Sequence, residues 1–283
     1  MTMNSTARRT FVGAASIATL GAFTGCASGT RASTKQDGPS SQVEPVDFVL
    51  VHGAWHGGWC WRRVARQLVA EGHRVWTPTL TGLGERAHLL SGEIGLRTHV
   101  EDVVRMAQWE ELTSIVLVGH SYGGMVITGA AEQLVGRIRS MVYLDAYVPA
   151  AGESVNSILG PESTARLDQL AASNGGIALP TYPASVFGVS GPDGNWVDSK
   201  MTPHPYRTLK DSLPRTQAIQ TVRRKTYVRA LGFSNRALDA YAQRLKTESG
   251  WRMIAVPHGH DMMVTASDQT VAILKQDLVD GPT

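Results

Sequence analysis

The sequence contains little of what metal sites, disulfide frameworks and nucleic-acid surfaces require. Only 2 of its 283 residues are cysteines, too few for a disulfide framework or a Cys-rich zinc site. Residues 1–42 contain four basic side chains and one acidic side chain, which account for the whole formal net charge of +3. The net charge of the remaining residues is therefore zero. Binding of nucleic acid through a basic surface therefore has no support. We expect no nucleic-acid partner, no metal and no cofactor.

A long hydrophobic run is also lacking. The apolar stretch at residues 13–23 is roughly half of the ~20 residues that a membrane-spanning helix needs. It follows the pair Arg8-Arg9, as in a bacterial twin-arginine export signal, and its end, FTGC, is similar to a lipoprotein signal. We interpret residues 1–26 as an export signal and residues 27–45 as a flexible linker. The protein is predicted to be exported, either free in the periplasm or tethered to the membrane through a lipid on Cys26.

From residue 46 onward, strand patterns alternate with helical ones. DFVLVH, SIVLVGH and SMVYLDAYVP are apolar runs typical of central strands, and amphipathic segments such as residues 97–110 lie between them. This alternation predicts an α/β fold with a mostly parallel sheet covered by helices on both faces. The pattern breaks at residues 149–222, which hold most of the 13 prolines. We predict a cap there, inserted between a first core part (46–148) and a second (223–283), over the carboxyl ends of the strands.

A G-x-S-x-G motif supplies the strongest chemical signal. Gly119, Ser121 and Gly123 lie between the most apolar predicted strand and a helical segment, which is the setting this motif requires. A serine on so tight a turn is strained, and only small neighbours such as these two glycines let the chains approach. The start of the following helix favours negative charge beside the hydroxyl. Ser121 is the predicted nucleophile.

A serine hydroxyl needs a base to remove its proton. The last predicted strand is followed by the loop His258-Gly259-His260-Asp261. We assign the base to His260, which leads into the last helix, and expect His258 to be a surface or supporting residue.

Two backbone N–H groups must bind the oxyanion that forms on the substrate. One is predicted to come from Tyr122, directly after the nucleophile, and the other from Ala54, in the turn that follows the first strand. Aromatic side chains near this turn or in the cap are the candidates for substrate binding: Trp55, Tyr147 and Trp196.

The segments LVHGAWHGGWCWRRV, PTLTGLGER, VLVGHSYGGMV and GHDMMV resemble the α/β-hydrolase superfamily. They are most similar to the branch of plant methylesterases and hydroxynitrile lyases with their bacterial esterase relatives. The resemblance covers roughly residues 46–280 and implies an eight-stranded sheet, a lid and an acyl-serine mechanism. Lyases of this branch carry Thr and Lys where this sequence has Ala54 and Asp261. That difference favours ester hydrolysis over cyanohydrin cleavage.

The acid that orients the base is less well defined by the sequence. The resemblance implies an Asp just after the penultimate strand, but the first carboxylate there is Asp239, about ten residues on and in a predicted helix. Asp145 ends the preceding strand, in VYLDAYVP, and a carboxylate in an apolar run needs a partner such as an imidazole N–H. We predict Asp145, with Asp239, Glu248, another group or no acid at all as alternatives.

Together these features predict a metal-independent serine carboxylesterase acting on small or medium apolar or aryl esters, with a small-molecule ester as its partner. Two alternatives stay open. One is lactonase or hydroxynitrile-lyase-like chemistry at the same site, and the other is a non-catalytic, ligand-binding hydrolase fold.

Overall fold

The computed structural model describes residues 44–276 and 278. Within them, six strands form one sheet in which every neighbouring pair is parallel, and two short strands form a separate antiparallel pair. The strands are β1 (Asp47–Val51), β2 (Arg74–Trp76), β3 (Ile115–His120), β4 (Ile138–Leu144), β5 (Ala178–Leu179), β6 (His204–Pro205), β7 (Arg224–Ala230) and β8 (Trp251–Val256). The large sheet has the order β2-β1-β3-β4-β7-β8. The predicted parallel α/β architecture is confirmed, although the described residues contribute six strands where the family resemblance implies eight.

Helices cover both faces of the large sheet. The α-helices are α1 (Arg62–Ala70), α2 (Leu96–Trp109), α3 (Gly123–Ala131), α4 (Val155–Leu159), α5 (Pro161–Ala172), α6 (Gly191–Asp198), α7 (Arg207–Lys210), α8 (Arg236–Leu245), α9 (Met262–Thr265) and α10 (Ser267–Gln276). Four 3-10 turns span Gly58–Trp61, Gly84–Leu89, Ala184–Phe187 and Ala218–Thr221. None of the helices in the described residues is long and apolar enough to cross a membrane.

Strand side chains alternate between two apolar layers. In β1, Val49 and Val51 pack with residues of α2, α3 and α8, whereas Phe48 and Leu50 pack with residues of α1 and α10. Because both faces are covered, every residue of β1 and β3 is buried, as expected of central parallel strands. This explains why these segments were recognisable as continuous apolar runs rather than as alternating ones.

The sheet order reverses between β1 and β3, which creates a crevice at the carboxyl ends of the strands. The chain runs from β1 to β2 on one side and then returns to place β3 on the other side of β1. In the parallel register, Val51 of β1 is level with Gly119 of β3, and Gly119 is level with Tyr143 of β4. The loops that follow these strands therefore meet at one edge, where open α/β sheets bind ligands.

The segment between β4 and β7 contacts these same loops. It holds α4–α7, the β5–β6 pair and two of the 3-10 turns, within the bounds of the predicted cap. The N–H of Thr202 donates to the carbonyl of Trp55 at 3.0 Å, and the N–H of Asp261 donates to the carbonyl of Phe187 at 3.2 Å. The inserted segment is thereby attached to the turn after β1 and to the loop after β8. The predicted export signal, the lipidation site and the predicted linker up to residue 43 lie outside the described residues.

Candidate active site

Ser121 lies on a sharp turn between β3 and α3. Its φ of 53° is in the left-handed region, which non-glycine residues rarely adopt without strain. A Cβ on Gly119 would lie 2.7 Å from the carbonyl oxygen of Gly123, and a Cβ on Gly123 would lie 2.7 Å from that of His52. The glycines of the motif are thus required by close backbone approach. The turn is held at the Ser121 carbonyl, which accepts from the N–H of Tyr147 at 3.1 Å.

His260 and Asp145 form a short buried hydrogen bond. The Nδ1–H of His260 donates to Oδ2 of Asp145 at 2.6 Å, and the two residues are 3% and 0% exposed. Asp145 follows β4 directly with a φ of 45°, another left-handed conformation that redirects its side chain from the strand. The ring of Phe233 stacks on the His260 imidazole with centroids 4.3 Å apart. The structure thus brings the predicted base and the preferred acid together.

Asp239, the second candidate acid, contacts an arginine instead of a histidine. It is in the first turn of α8, as the sequence predicted, and its Oδ1 accepts from Nε of Arg229 at 2.9 Å. Arg229 also donates through Nη1 to Oδ1 of Asp145 at 2.8 Å. Glu248, the third candidate, pairs with Arg244 at 3.3 Å. Neither alternative carboxylate is bonded to His260.

Arg229 is a site residue that was not among the predicted ones, although the sequence carries a signal for it. This arginine is the penultimate residue of β7 and is only 5% exposed. A buried charge requires a partner. The strand register places Val228 beside Leu144, so the residues that follow these two, Arg229 and Asp145, are neighbours. The charge of Asp145 raises the pKa of Arg229 although burial lowers it. Asp145 is therefore held by a permanent cation on one oxygen and by His260 on the other.

The turn after β1 touches the nucleophile. A Cβ on Gly53 would lie 2.9 Å from Cβ of Ser121, so this position also needs glycine. Within the described residues, neither the Ala54 N–H nor the Tyr122 N–H donates to a protein acceptor. The adjacent N–H of Trp55 differs, because it donates to Nδ1 of His204 at 3.4 Å. Two amides next to the serine thus retain the capacity to bind an oxyanion, the role predicted for them.

Two neutral buried histidines contact the backbone turn after β1 and the side chain that follows Ser121. The Leu80 N–H donates to Nε2 of His52 at 3.0 Å, so the Nδ1–H of His52 donates to the Gly53 carbonyl at 2.8 Å. Burial lowers the pKa of His52 to about 3 and that of His99 to about 4. His99 donates through Nε2–H to the Thr81 carbonyl at 2.8 Å, and its Nδ1 lies 3.0 Å from the Tyr122 hydroxyl. No role of these histidines was predictable from the sequence, since their partners are distant in the chain.

The three predicted substrate-binding aromatics have different environments. Trp55 is half-buried, with its ring centroid 5.1 Å from Tyr182 and 5.9 Å from Phe187 in the inserted segment. Tyr147 is almost fully buried, and burial raises its pKa to about 12. Trp196 packs on Trp59 at 5.1 Å between ring centroids. Trp55 belongs to the turn whose Gly53 approaches Ser121, and the backbone N–H of Tyr147 donates to the Ser121 carbonyl, whereas Trp196 lies in the inserted segment.

The described residues contain no group of three or more His, Cys, Asp or Glu side chains that could hold a metal ion. Cys60 is a buried free cysteine.

The arrangement around Ser121 can perform nucleophilic chemistry: a strained serine follows β3, an imidazole–carboxylate pair lies after β8 and β4, and two amides flank the serine. In chain order these are Ser121, Asp145 and His260, the order found in α/β-hydrolase enzymes.

Sequence comparison connects this architecture to known proteins. The model of the Alpha/beta hydrolase family matches residues 48–273. A carbendazim hydrolyzing esterase from Nocardioides sp. (strain SG-4G) is 41% identical over 232 residues, which cover 77% of this chain and 94% of that protein. Methylesterase 1 of Arabidopsis thaliana is 36% identical over 131 residues, which cover 42% of this chain and 46% of that protein.

Solved structures share the fold. An extracellular alpha/beta-hydrolase from a Paenibacillus species, described as sharing structural and functional homology with tobacco salicylic acid binding protein 2, has a TM-score of 0.72 at 23% identity. The alignment covers 82% of this chain and 99% of that one. The methylesterase MES16 from Arabidopsis has a TM-score of 0.62 at 20% identity, covering 82% and 98% of the two chains.

Proposed function

Because the chain belongs to the alpha/beta hydrolase family, we propose that it is a serine carboxylesterase acting on small or medium apolar or aryl esters. The observation that carries the proposal is the 2.6 Å bond between His260 and Asp145, at the sheet edge that also presents the strained Ser121. The names of its relatives, a carbendazim hydrolyzing esterase and a methylesterase, support esterase activity.

The proposed reaction proceeds through an acyl-serine. Oγ of Ser121 attacks the ester carbonyl while Nε2 of His260 takes its proton, and Asp145 stabilises the imidazolium that forms. The N–H groups of Ala54 and Tyr122 bind the oxyanion. The tetrahedral intermediate expels the alcohol, which receives the proton from His260. Water, deprotonated by the same imidazole, then attacks the acyl carbon, and the acid is released as Ser121 recovers its proton.

The preference for apolar or aryl esters rests on composition and on the surroundings of the site. Outside residues 1–42 the chain has no net charge, which gives no attraction for a strongly anionic substrate. The aromatic group of Trp55, Tyr182 and Phe187 adjoins the turn that contacts Ser121. Its flat rings are suited to packing against an aryl or alkyl group.

We also propose that the protein is exported from a bacterial cell, with the membrane tether through Cys26 as one form of the product. The support is the Arg8-Arg9 pair, the short apolar run and the FTGC sequence. Mass spectrometry of the protein from its native host tests this directly. A mature N terminus at or near Cys26 is expected, and an unprocessed N terminus in the cytosol would contradict export.

Fluorophosphonate labelling tests the enzyme proposal, with mass mapping of the modified residue. We expect rapid labelling at Ser121, none in Ser121→Ala, and unchanged labelling in the control Ser173→Ala, which alters an exposed serine of the inserted segment. Absence of labelling in a folded protein would leave a ligand-binding hydrolase fold as the better description.

A substrate panel tests the finer claim. Neutral aryl and alkyl esters, anionic esters, lactones, a cyanohydrin and carbendazim are compared by product analysis. We expect the neutral esters to be turned over fastest. Equal rates on anionic esters would refute the apolar preference, and faster turnover of lactones or cyanohydrins would replace ester hydrolysis by the corresponding chemistry.

A further inference from the structure

A second buried histidine–carboxylate pair lies beside the first. His56 is 1% exposed and Asp261 is 0% exposed. Nε2 of His56 lies 2.9 Å from Oδ2 of Asp261, and its Nδ1 lies 2.7 Å from the carbonyl oxygen of Ala54. The Ala54 carbonyl can only accept, so Nδ1 carries a hydrogen; an ionised Asp261 can also only accept, and Nε2 then carries a hydrogen as well. With Asp261 ionised, the pair is an imidazolium facing a carboxylate.

The surrounding groups are consistent with one positive and one negative charge. Burial disfavours the charged form of His56, but the charge of Asp261 and the hydrogen bond to it raise its pKa. Burial likewise opposes ionisation of Asp261, but the charge of His56 lowers its pKa. The nearby His120, with Nε2 3.7 Å from Oδ1 of Asp261, is kept neutral because burial lowers its pKa well below the usual range.

The pair connects the loops that carry the proposed chemistry. Ala54 belongs to the turn assigned to the oxyanion, and Asp261 directly follows His260. The residue before the nucleophile, His120, donates through Nε2–H to the carbonyl of His260 at 3.1 Å. The loops after β1, β3 and β8 are thus linked by polar contacts beneath the site. No motif signalled this link, because His56 and Asp261 are 205 residues apart.

Stability alone is a weak explanation for such a pair. Two ions lose their hydration on burial, and replacing a buried ion pair with apolar side chains of similar volume is often neutral or stabilising. Oδ1 of Asp261 has no hydrogen-bond partner in the described residues, which adds to this cost. What the pair provides is a directional connection between two loops whose relative placement determines the reaction geometry.

We propose that His56 and Asp261 are positioning residues of the esterase reaction, holding the oxyanion turn at Ala54 in register with His260. The inference rests on the proposed function. Neither residue need touch the substrate. Their effect would be exerted through the placement of the Ala54 amide relative to Ser121 and His260, where a misplacement of about 1 Å can cost on the order of 10²-fold in rate.

The variants Asp261→Asn and His56→Gln test this proposal, together with the double variant. Asp193→Asn is the matched control, because Asp193 forms a solvent-exposed ion pair with Arg63 outside the site. For a neutral aryl ester we expect kcat to fall about 10²-fold in each single variant with KM within about twofold, since the lost alignment acts in the transition state. The double variant should be no worse than the poorer single variant, because both changes break one interaction.

Rates are expressed per folded molecule, from unfolding curves and circular dichroism measured on the same samples. Folded single variants with kcat within about twofold of the parent would overturn the proposal, as would losses that multiply in the double variant. If the single variants fail to fold, the double variant, a neutral pair of similar shape, is measured in their place. Parental kcat in that variant would also overturn the proposal.

Nitrogen NMR of the unaltered protein supplies a test that needs no turnover. Above the usual pKa range of histidine, we expect one imidazole with both ring nitrogens protonated, lost in His56→Gln. A neutral imidazole at His56 would overturn the ion pair whether or not the protein is an esterase. Failure of the proposed function is distinguishable, since the unaltered protein would then neither label at Ser121 nor hydrolyse esters.

Discussion

Replacing Asp145 with Asn should abolish most of the activity, whereas replacing Asp239 with Asn should not. Asp145 receives two hydrogen bonds at Oδ1, from Nη1 of Arg229 at 2.8 Å and from the N–H of Ala230 at 3.0 Å. An asparagine would therefore keep its amide oxygen on that side, because an NH₂ group there would face two donors. Its NH₂ group must then point at Nδ1 of His260, where the carboxylate now accepts.

The magnitude follows from the tautomer that this arrangement enforces. An NH₂ group facing Nδ1 requires Nδ1 to accept, so the remaining proton of a neutral His260 moves to Nε2. In that tautomer the imidazole cannot take the proton from Ser121. The corresponding Asp→Asn change in a serine protease reduces kcat about 10⁴-fold, or about 5 kcal/mol, and we expect a loss of that order here.

Asp239 is the matched control because it shares Arg229 with Asp145 but does not contact His260. Its side chain is 57% exposed, and an ion pair so accessible to water contributes about 0–1 kcal/mol. We therefore expect kcat of Asp239→Asn to stay within about fivefold of the parent.

The assay is hydrolysis of a neutral aryl ester by both variants, corrected for the folded fraction, with fluorophosphonate labelling rates in parallel. Equal activity in Asp145→Asn and the parent would refute the assignment of the acid. A loss in Asp239→Asn as large as that in Asp145→Asn would move the acid to α8 and refute the geometric argument.

Three further predictions concern stability. Arg229→Met should lower the free energy of unfolding by about 3–5 kcal/mol, because it leaves the Asp145 carboxylate buried without its cation; a loss below about 1 kcal/mol in urea denaturation would contradict this. Gly124→Ala should destabilise the protein more than Gly92→Ala in thermal unfolding, because its Cβ would lie 2.1 Å from a backbone carbonyl whereas that of Gly92 meets only a side chain at 4.0 Å; equal melting temperatures would contradict it. Burial lowers the pKa of His52 to about 3, so between pH about 6.5 and 3 the unfolded chain binds a proton that the folded protein does not. As the pH is lowered through this range, this group should reduce the free energy of unfolding by about 4–5 kcal/mol. His52→Gln should remove that share, and a variant with an unchanged pH dependence of unfolding would exclude it.

Much of the fold was predictable because an apolar layer covers each face of the large sheet. Strands β1 and β3 are buried on both faces, so their sequences are uninterrupted apolar runs, and the amphipathic α2 presents Val100, Val103 and Val104 to the core. The number of strands was harder to predict from the sequence. A family resemblance implies eight strands, whereas apolar patterns alone indicate a strand only where the sequence is sufficiently regular. The short elements of the inserted segment, such as the two-residue strands β5 and β6, are too brief to produce any period.

Placement of the proposed nucleophile, base and acid was predictable for a different reason. In a parallel sheet the loops after successive strands converge on one edge, so a serine, an aspartate and a histidine that each follow a strand are brought together by topology. The partners that hold them were not predictable in this way. Arg229 reaches Asp145 through a side chain that spans two neighbouring strands, and His56 reaches Asp261 between loops at opposite ends of the chain. Such contacts depend on side-chain direction, which sequence position does not encode.

The aspartate at position 261, which distinguishes this sequence from the lyases of the branch, has a buried histidine as its partner. The resemblance implies that lyases of this branch carry Lys at this position, whereas here an aspartate lies 2.9 Å from a histidine that donates from both ring nitrogens. A lysine at 261 would place a second cation against His56 in a region without solvent, a cost that opposite charges avoid. The exchange would therefore require a compensating change at position 56. Asp261, at which this sequence differs from the lyases, is thus one partner of the His56–Asp261 pair, and its negative charge is explained by the histidine that it contacts.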